Sequence, residues 1–392
     1  VKQMQCRRHG MAGAVPCDAA LCVSYLEEIM ANIKEIEALT NAFGPSGFED
    51  EVIREVKNWC GGLDVANDAM YNVYATMKKK KAGRPVLMLD AHLDECGFMV
   101  QSILENGLLS ILMLGGFHLT SLPAHSVIVR TRDGKKHRGI TTSKPVHFLT
   151  AAQKNDNSLA IEDILVDVGA SSREEVTEVY GIRPGDPIMP DVSFEYHKEN
   201  GILYGKAFDN RLGCVSIIDT MQALRDEADQ LAVEVVGAFA AQEEVGTRGA
   251  TVTAQQVQPD LAIVFEGSPA DDFYFRAGIA QGCLRSGVQI RHMDNSYISN
   301  VEFIRFAQET GDKLGIKYQD AVRRGGSTNA GKISLTGKAV PVLVLGIPSR
   351  YVHSHYNFCA EEDVDATVRM AVEVIRGLDE ERIARILRKE VI

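Results

Sequence analysis

Five residues of this sequence are of types that bind divalent cations, and each stands near the end of a stretch that reads as regular structure: His92, Asp209, Glu244, Glu266 and His353. Two imidazoles and three carboxylates suit a pair of divalent ions, with one carboxylate bridging, and zinc and cobalt accept such nitrogen and oxygen donors. Glu243 is left over beside Glu244, free to act as a base. Two ions roughly 3.5–4 Å apart can share a hydroxide, polarise a carbonyl and stabilise a tetrahedral intermediate. Asp94 follows His92 by two residues, on the same side of an extended segment. A metal-bound imidazole usually gives its other ring proton to such a carboxylate. The plain structural readings of the same residues are a core histidine, an N-cap aspartate and a polar surface turn. Metal-free Ser-His-Asp hydrolysis is set aside, because the chain has no Gly-x-Ser-x-Gly.

These residues need elements to hold them. The apolar run Val233–Ala241 predicts a buried strand that ends on Glu243 and Glu244, whose side chains point different ways. Gly246 and Gly249 then allow a tight turn or a close approach. A second buried strand, Leu261–Phe265, ends on Glu266. Pro85–Asp90 delivers His92 and Asp94, and is expected to pair with Tyr71–Met77 around a lysine-rich hairpin tip at residues 78–83. Asp209 heads a helix carrying Leu212, Val215, Ile218, Met221 and Leu224. The core strand Val342–Leu345 leads into Arg350-Tyr351-Val-His353-Ser354-His355. Acids at the carboxyl ends of buried strands lie where open α/β sheets place their sites. Asn32 caps one flanking helix, and Ser46 with Glu49 has the capping-box pattern for the next. The loop Arg323-Arg-Gly-Gly-Ser-Thr-Asn-Ala330 enters a helix and can hold an anion or a substrate backbone, without P-loop spacing.

Between about residues 103 and 196 the texture changes to short alternating strands, with a hairpin signal at Asp133-Gly134. This predicts a small β-rich domain inserted into an α/β domain formed by 31–102 and 197–392. Its His118, His125, His137 and His147 are taken as structural or surface residues. Residues 1–30 lack periodicity and are expected to be a disordered extension. The net charge of −11 argues against nucleic acid, and no apolar run reaches the 18 residues of a membrane span. The 8 cysteines show no Cys-x-x-Cys, which points to reduced thiols in a cytoplasm.

Ala91-His92-Leu-Asp94-Glu95, Phe208-Asp209-Asn210-Arg211, Gln242-Glu243-Glu244-Val-Gly246 and Arg350-Tyr351-Val-His353-Ser354 together resemble the tetrahedral (TET) aminopeptidases. These are dinuclear metallopeptidases, often labelled glutamyl aminopeptidase or endoglucanase. The resemblance runs from about residue 31 to the end. It implies an α/β fold: a mixed-sheet metallopeptidase domain whose β-rich insert mediates dimers, with dimers building a twelve-subunit hollow tetrahedron. It implies that His92, Asp209 and Glu266 hold one metal and that Asp209, Glu244 and His353 hold the other. Glu243 would be the general base, Asp94 would orient His92, and the substrates would be short peptides trimmed from the amino end. Three positions depart from the family: Glu266 and Asn329 each replace an Asp, and His355 replaces a Pro. The longer Glu266 arm is expected to shift or weaken its metal, His355 to bring an extra imidazole near the cluster, and Asn329 to alter substrate contacts. Two alternatives are another dinuclear hydrolase, such as a deacylase or carboxypeptidase, and a non-catalytic cage-forming protein. The endoglucanase label has no support, since there is no carboxylate pair beside an aromatic sugar platform and Trp59 is the only tryptophan.

Overall fold

Four strands, Glu234–Ala240, Val86–His92, Leu261–Pro269 and Val342–Arg350, run parallel and adjacent through the middle of a large mixed sheet. The computed structural model describes residues 32–78, 83–150, 159–276 and 278–388. The expected extension at 1–30 and most of the lysine-rich tip lie outside them. The central strands are apolar on both faces, as parallel strands must be when helices cover both sides. On one face, Leu87, Leu89, Phe239, Ile263 and Phe265 pack with Leu212, Val215 and Ile218 of the helix Phe208–Leu224. On the other, Met88, Ala238 and Val264 meet Ala250 and Ala254 of Arg248–Val257.

Register brings the site together. Ala240 lies opposite His92, and Val264 lies opposite Asp90. The residues beyond these pairs, Glu243, Glu244 and Glu266, therefore emerge at the same edge as His92.

Two local expectations are corrected. Val73–Thr76 does not pair with Val86–His92, because Glu234–Ala240 runs between them and bonds to both. A run of that apolarity needs neighbours on both sides, so it displaces the hairpin partner. Nor does Ser46 cap the helix Asp50–Trp59, whose N-cap is Glu49 without a side-chain bond. The Ser46 hydroxyl donates instead to Asp94 Oδ2 at 2.5 Å. Glu49 Oε1 accepts the N–H groups of Gly47 at 2.8 Å and Gln242 at 3.1 Å. The buried Asp94 carboxylate outcompetes the helix end for the Ser46 hydroxyl.

Between the Val86–His92 strand and the rest of the sheet, the chain builds a closed barrel. Its strands run in the order Gly97–Ile103, Leu109–Leu114, Leu165–Asp167, Lys136–Thr141, Ser126–Arg130 and Pro187–Pro190, the last closing on the first. Closure leaves no sheet edge exposed. Phe98, Val100, Ile111, Val127, Val129, Val166 and Ile188 fill its core. The barrel thus occupies Gly97 to Pro190, whereas the change of texture falls near 103 and 196. Gly97 follows the His92 loop without a composition break, and Glu195–His197 already belongs to the large sheet.

Candidate active site

His92 is the last residue of its strand and is 1% exposed. Its Nε2 lies 3.0 Å from Asp209 Oδ1 and 3.9 Å from Glu243 Oε2. Its Nδ1 lies 3.1 Å from the backbone oxygen of Asp94 and 3.5 Å from Asp94 Oδ1. The Asp94 carboxylate also accepts the backbone N–H groups of Glu243 at 2.8 Å and Glu244 at 3.1 Å. One buried carboxylate therefore backs the imidazole and fixes the turn that carries both glutamates.

Asp209 sits where the spacing suggested an N-cap, but it makes no capping bond. Ala207 is left-handed (φ 54°), and Asp209 is non-helical (φ −86°, ψ 102°). This distortion aims the two Asp209 oxygens at different imidazoles. Oδ2 lies 3.4 Å from His353 Nε2, while Oδ1 faces His92. Gly267 makes room for this: a Cβ there would stand 2.5 Å from Asp209 Cα. Glu244 Oε2 is 3.8 Å from His353 Nε2. His353 and Tyr351 share a left-handed backbone (φ 62° at each), as does Gln242 (φ 55°) before the glutamates. Strained residues held in place by their surroundings cluster at working sites.

Donor atoms of His92, Asp209 and Glu244 all lie within 4.8 Å of one another, and so do those of Cys96, Glu244 and His353. Glu266 stands at the same edge, 6% exposed, but belongs to neither close group. Its Oε2 accepts a bond from Asn210 Nδ2 at 3.4 Å.

The charges are poorly balanced without a cation. Burial pushes the Glu243 carboxyl up to about 8, with Glu244, Asp94 and Asp209 adding repulsion. Burial, aided by Asp209, pushes Glu244 up to about 7. Glu266 is raised well above the usual carboxylate range by burial and Asp209. Burial disfavours the His92 imidazolium, but hydrogen bonds to Asp209 and Asp94 overcome it and raise the pKa. The hydrogen bond to Asp209 pushes His353 up to about 9. Converging buried acids faced by imidazoles form a donor set that fits divalent cations, whose charge reverses these shifts.

Two departures land elsewhere than expected. His355 is 1% exposed and stacks on the barrel residue His125, with ring centroids 4.2 Å apart. Burial and His125 push it down to about 3, so it packs as a neutral ring at the barrel interface. Asn329 is fully buried and donates to Asp90 Oδ2 at 2.8 Å.

Beyond the acids opens a cavity of about 670 Å³, lined by Asp209, Glu243 and Glu266 together with Arg291, Arg323 and Arg324. The expected glycine loop contributes the last two arginines. Arg291 was not singled out in the sequence, since the strand Val288–Met293 also carries Gln289 and His292 and so offers no clear apolar background. Its Nη2 donates to Ser268 Oγ at 2.6 Å, and its buried Nε has no partner among the described residues. Lys206 was also missed. It is buried against Glu95, with Nζ 2.7 and 2.8 Å from the carboxylate oxygens, and Arg211 joins at 3.1 Å.

Comparison with known proteins gives a consistent picture. The model of the M42 glutamyl aminopeptidase family matches residues 72–370. The chain is 31% identical to the glutamyl aminopeptidase of Lactococcus lactis subsp. cremoris over 354 residues, covering 90% of this chain and 98% of that protein. Its fold is similar to a TET aminopeptidase from a marine sediment archaeon, Thaumarchaeota archaeon SCGC AB-539-E09, with TM-score 0.85, 33% identity and coverage of 90% and 99%. It is also similar to the TET1 peptidase of Pyrococcus horikoshii, which can assemble into a tetrahedron or a large octahedral shell, with TM-score 0.76, 25% identity and coverage of 88% and 99%.

Proposed function

The chain belongs to the M42 glutamyl aminopeptidase family of metal-dependent peptidases, and from that premise we propose that it removes acidic residues from the amino ends of short peptides, using two divalent ions per subunit, zinc or cobalt. The carrying observation is Asp209, whose two oxygens face separate imidazoles. His92, Asp209 and Glu266 would hold one ion, and Asp209, Glu244 and His353 the other. Bound there, the ions supply Lewis acidity toward the scissile carbonyl and lower the pKa of water. Glu243, kept off the ions, takes a proton from water and returns it to the leaving amine. Asp94 fixes the His92 ring and the turn holding Glu243.

The acidic preference rests on the arginines that share the cavity with these carboxylates. Arg291 pairs with Asp294 at 3.4 Å and Arg323 with Asp271 at 3.0 Å, yet each buries an Nε without a partner among the described residues, and Arg324 is exposed at the rim. A substrate carboxylate would satisfy such donors. The glutamyl aminopeptidase activity named for the Lactococcus relative agrees. The same proposal includes a homo-oligomer, built through dimers of the 103–196 insert into a dodecamer, supported by the shells of the Pyrococcus neighbour. It also includes work in the cytoplasm, supported by the free thiols of Cys60, Cys96, Cys214, Cys283 and Cys359. Among the described residues no helix is long and apolar enough to cross a membrane.

A panel of amino-acid anilides tests the specificity. Glutamyl and aspartyl substrates should give the highest kcat/KM, and amino-terminal acetylation of a peptide should abolish its cleavage. Arg324→Gln should lower kcat/KM for the glutamyl anilide by about 10–100-fold, the scale of one lost bond to a charged group, and change the alanyl value little. Faster turnover of lysyl than glutamyl anilide would refute the acidic preference. Cleavage of the acetylated peptide would refute the aminopeptidase reading itself.

A further inference from the structure

Cys96 lies in the loop between His92 and the first barrel strand, one residue before Gly97. No role follows for it from the five-ligand arrangement above. Yet its sulfur, a Glu244 oxygen and a His353 nitrogen all lie within 4.8 Å of one another. We propose that Cys96 is a sulfur ligand at the metal position flanked by Glu244 and His353, making that position softer than its partner. The proposal rests on Glu244 and His353 being ligands, as inferred above.

The geometry carries it in three steps. First, the thiol is aimed. Its neighbour Glu95 is clamped by Lys206 and Arg211 through its carboxylate, and by Gly44, whose oxygen accepts the Glu95 N–H at 3.0 Å. On the other side, Gly97 enters the barrel paired with Leu114. With both flanks pinned, the Cys96 side chain has little freedom to turn elsewhere. Second, the space is closed behind it. A Cβ on Gly115 would stand 2.7 Å from Cys96 Sγ and 3.1 Å from Glu244 Oε2, so the barrel loop covers sulfur and carboxylate together. Third, the thiol already hydrogen-bonds to Glu244, the carboxylate beside which it would bind the ion. Its other contact, to the Gly116 oxygen at 3.7 Å, is a weak one.

Tetrahedral coordination with bonds of about 2.0–2.3 Å puts ligand atoms roughly 3.3–3.8 Å apart. The three donors need to draw in by only about 1 Å, within the reach of ordinary rotamer adjustment. Binding replaces the thiol proton, which leaves to solvent, as metal binding by cysteine requires. A sulfur donor favours zinc and cadmium over manganese, whereas an all-oxygen and nitrogen site discriminates less.

The test uses the full-length protein loaded with cobalt(II), with metal content measured alongside. At two cobalt ions per subunit, a sulfur-to-cobalt charge-transfer band should appear in the near ultraviolet, and Cys96→Ser should lose it while keeping both ions. X-ray absorption of the zinc-loaded wild type should show a sulfur shell at about 2.3 Å, a readout that needs no variant to fold. Two bound ions with neither band nor sulfur shell would overturn the role of Cys96 and leave the metal centre intact. A band that persists in Cys96→Ser would assign the sulfur to another cysteine and overturn it too. Failure to bind two ions would remove the dinuclear reading and this proposal with it.

Discussion

Glu243 and Glu244 are adjacent in sequence and yet suited to different work. Both backbone N–H groups end on the same Asp94 carboxylate, so neither glutamate can move without the other. Their side chains diverge: Glu243 Oε2 approaches His92 Nε2, and Glu244 Oε2 approaches His353 Nε2. Glu243→Gln keeps the size and removes the basicity. Turnover should fall by roughly 10²–10⁴-fold, the scale of a lost general base, with metal content unchanged. Glu244→Gln weakens a proposed ligand, so metal should be lost and activity partly regained in excess zinc or cobalt. Metal per subunit measured with kcat at several metal concentrations decides the matter. If Glu243→Gln loses metal and is rescued while Glu244→Gln stays loaded and inactive, the two roles are exchanged. The types and order of these residues were legible in the sequence, because acids ending apolar runs stand out. The orientation of Asp209 was not, since a helix-head aspartate has the same sequence signature whether it caps or is wrenched outward by a left-handed Ala207. Cys96 and Arg291 stayed hidden because their meaning depends on what faces them across the chain.

Packing between elements stores a second pH-sensitive feature away from the proposed metal site. The helix Ile33–Asn41 buries Glu35 to 2% exposure against Phe208–Leu224, where Asp219 faces it. Burial, with Asp219 adding repulsion, pushes the Glu35 carboxyl up to about 9 from 4.5, and burial with Asp365 pushes Asp219 up to about 7. The folded state therefore holds protons that the unfolded chain releases. The stability that protonated Glu35 contributes is complete below about pH 4.5 and is lost progressively as pH rises toward 9. Glu35→Gln mimics the neutral acid at every pH. It should stabilise the protein by about 1–3 kcal/mol at pH 8, less than the full linkage because Asp219 shares the repulsion, and by almost nothing at pH 5. Denaturant melts across that range test it, and a gap between variant and wild type that does not change with pH would dispose of the idea. Sequence showed an amphipathic helix here, with Ile36 and Leu39 inward. It could not show that Glu35 also turns inward, because which residues flank the buried stripe depends on the crossing with the second helix. Likewise, the strand runs were readable, but the insertion of Glu234–Ala240 beside Val73–Thr76 was not, since pairing order is a property of the sheet.

At the scale of the molecule, the barrel contributes little to the catalytic edge beyond Gly116 on the cavity wall and the loop over Cys96. Its own core is complete, so its outward apolar residues are not required for folding. Four large ones are exposed on it: Leu112 and Ile140 on strands, Phe148 and Val179 on short helical turns. A monomer gains nothing by exposing them, whereas a contact between copies buries them. A closed shell combines two or more different symmetry contacts, so abolishing one should leave a smaller cluster held by another rather than a scatter of monomers. We therefore expect Ile140→Glu combined with Phe148→Glu to replace the proposed large assembly with a discrete smaller species in light scattering. Exposed substitutions of this kind cost within about 0.5 kcal/mol each, so the melting behaviour of the isolated subunit should hardly change. Turnover of a small anilide per subunit should stay within about twofold, because neither residue approaches the metal ligands. Longer peptides are the sensitive substrates, since a shell restricts their entry and its loss should speed their cleavage relative to anilide. If the doubly charged variant keeps the full mass of the wild type, the barrel is not the assembly contact, and its exposed residues need another explanation.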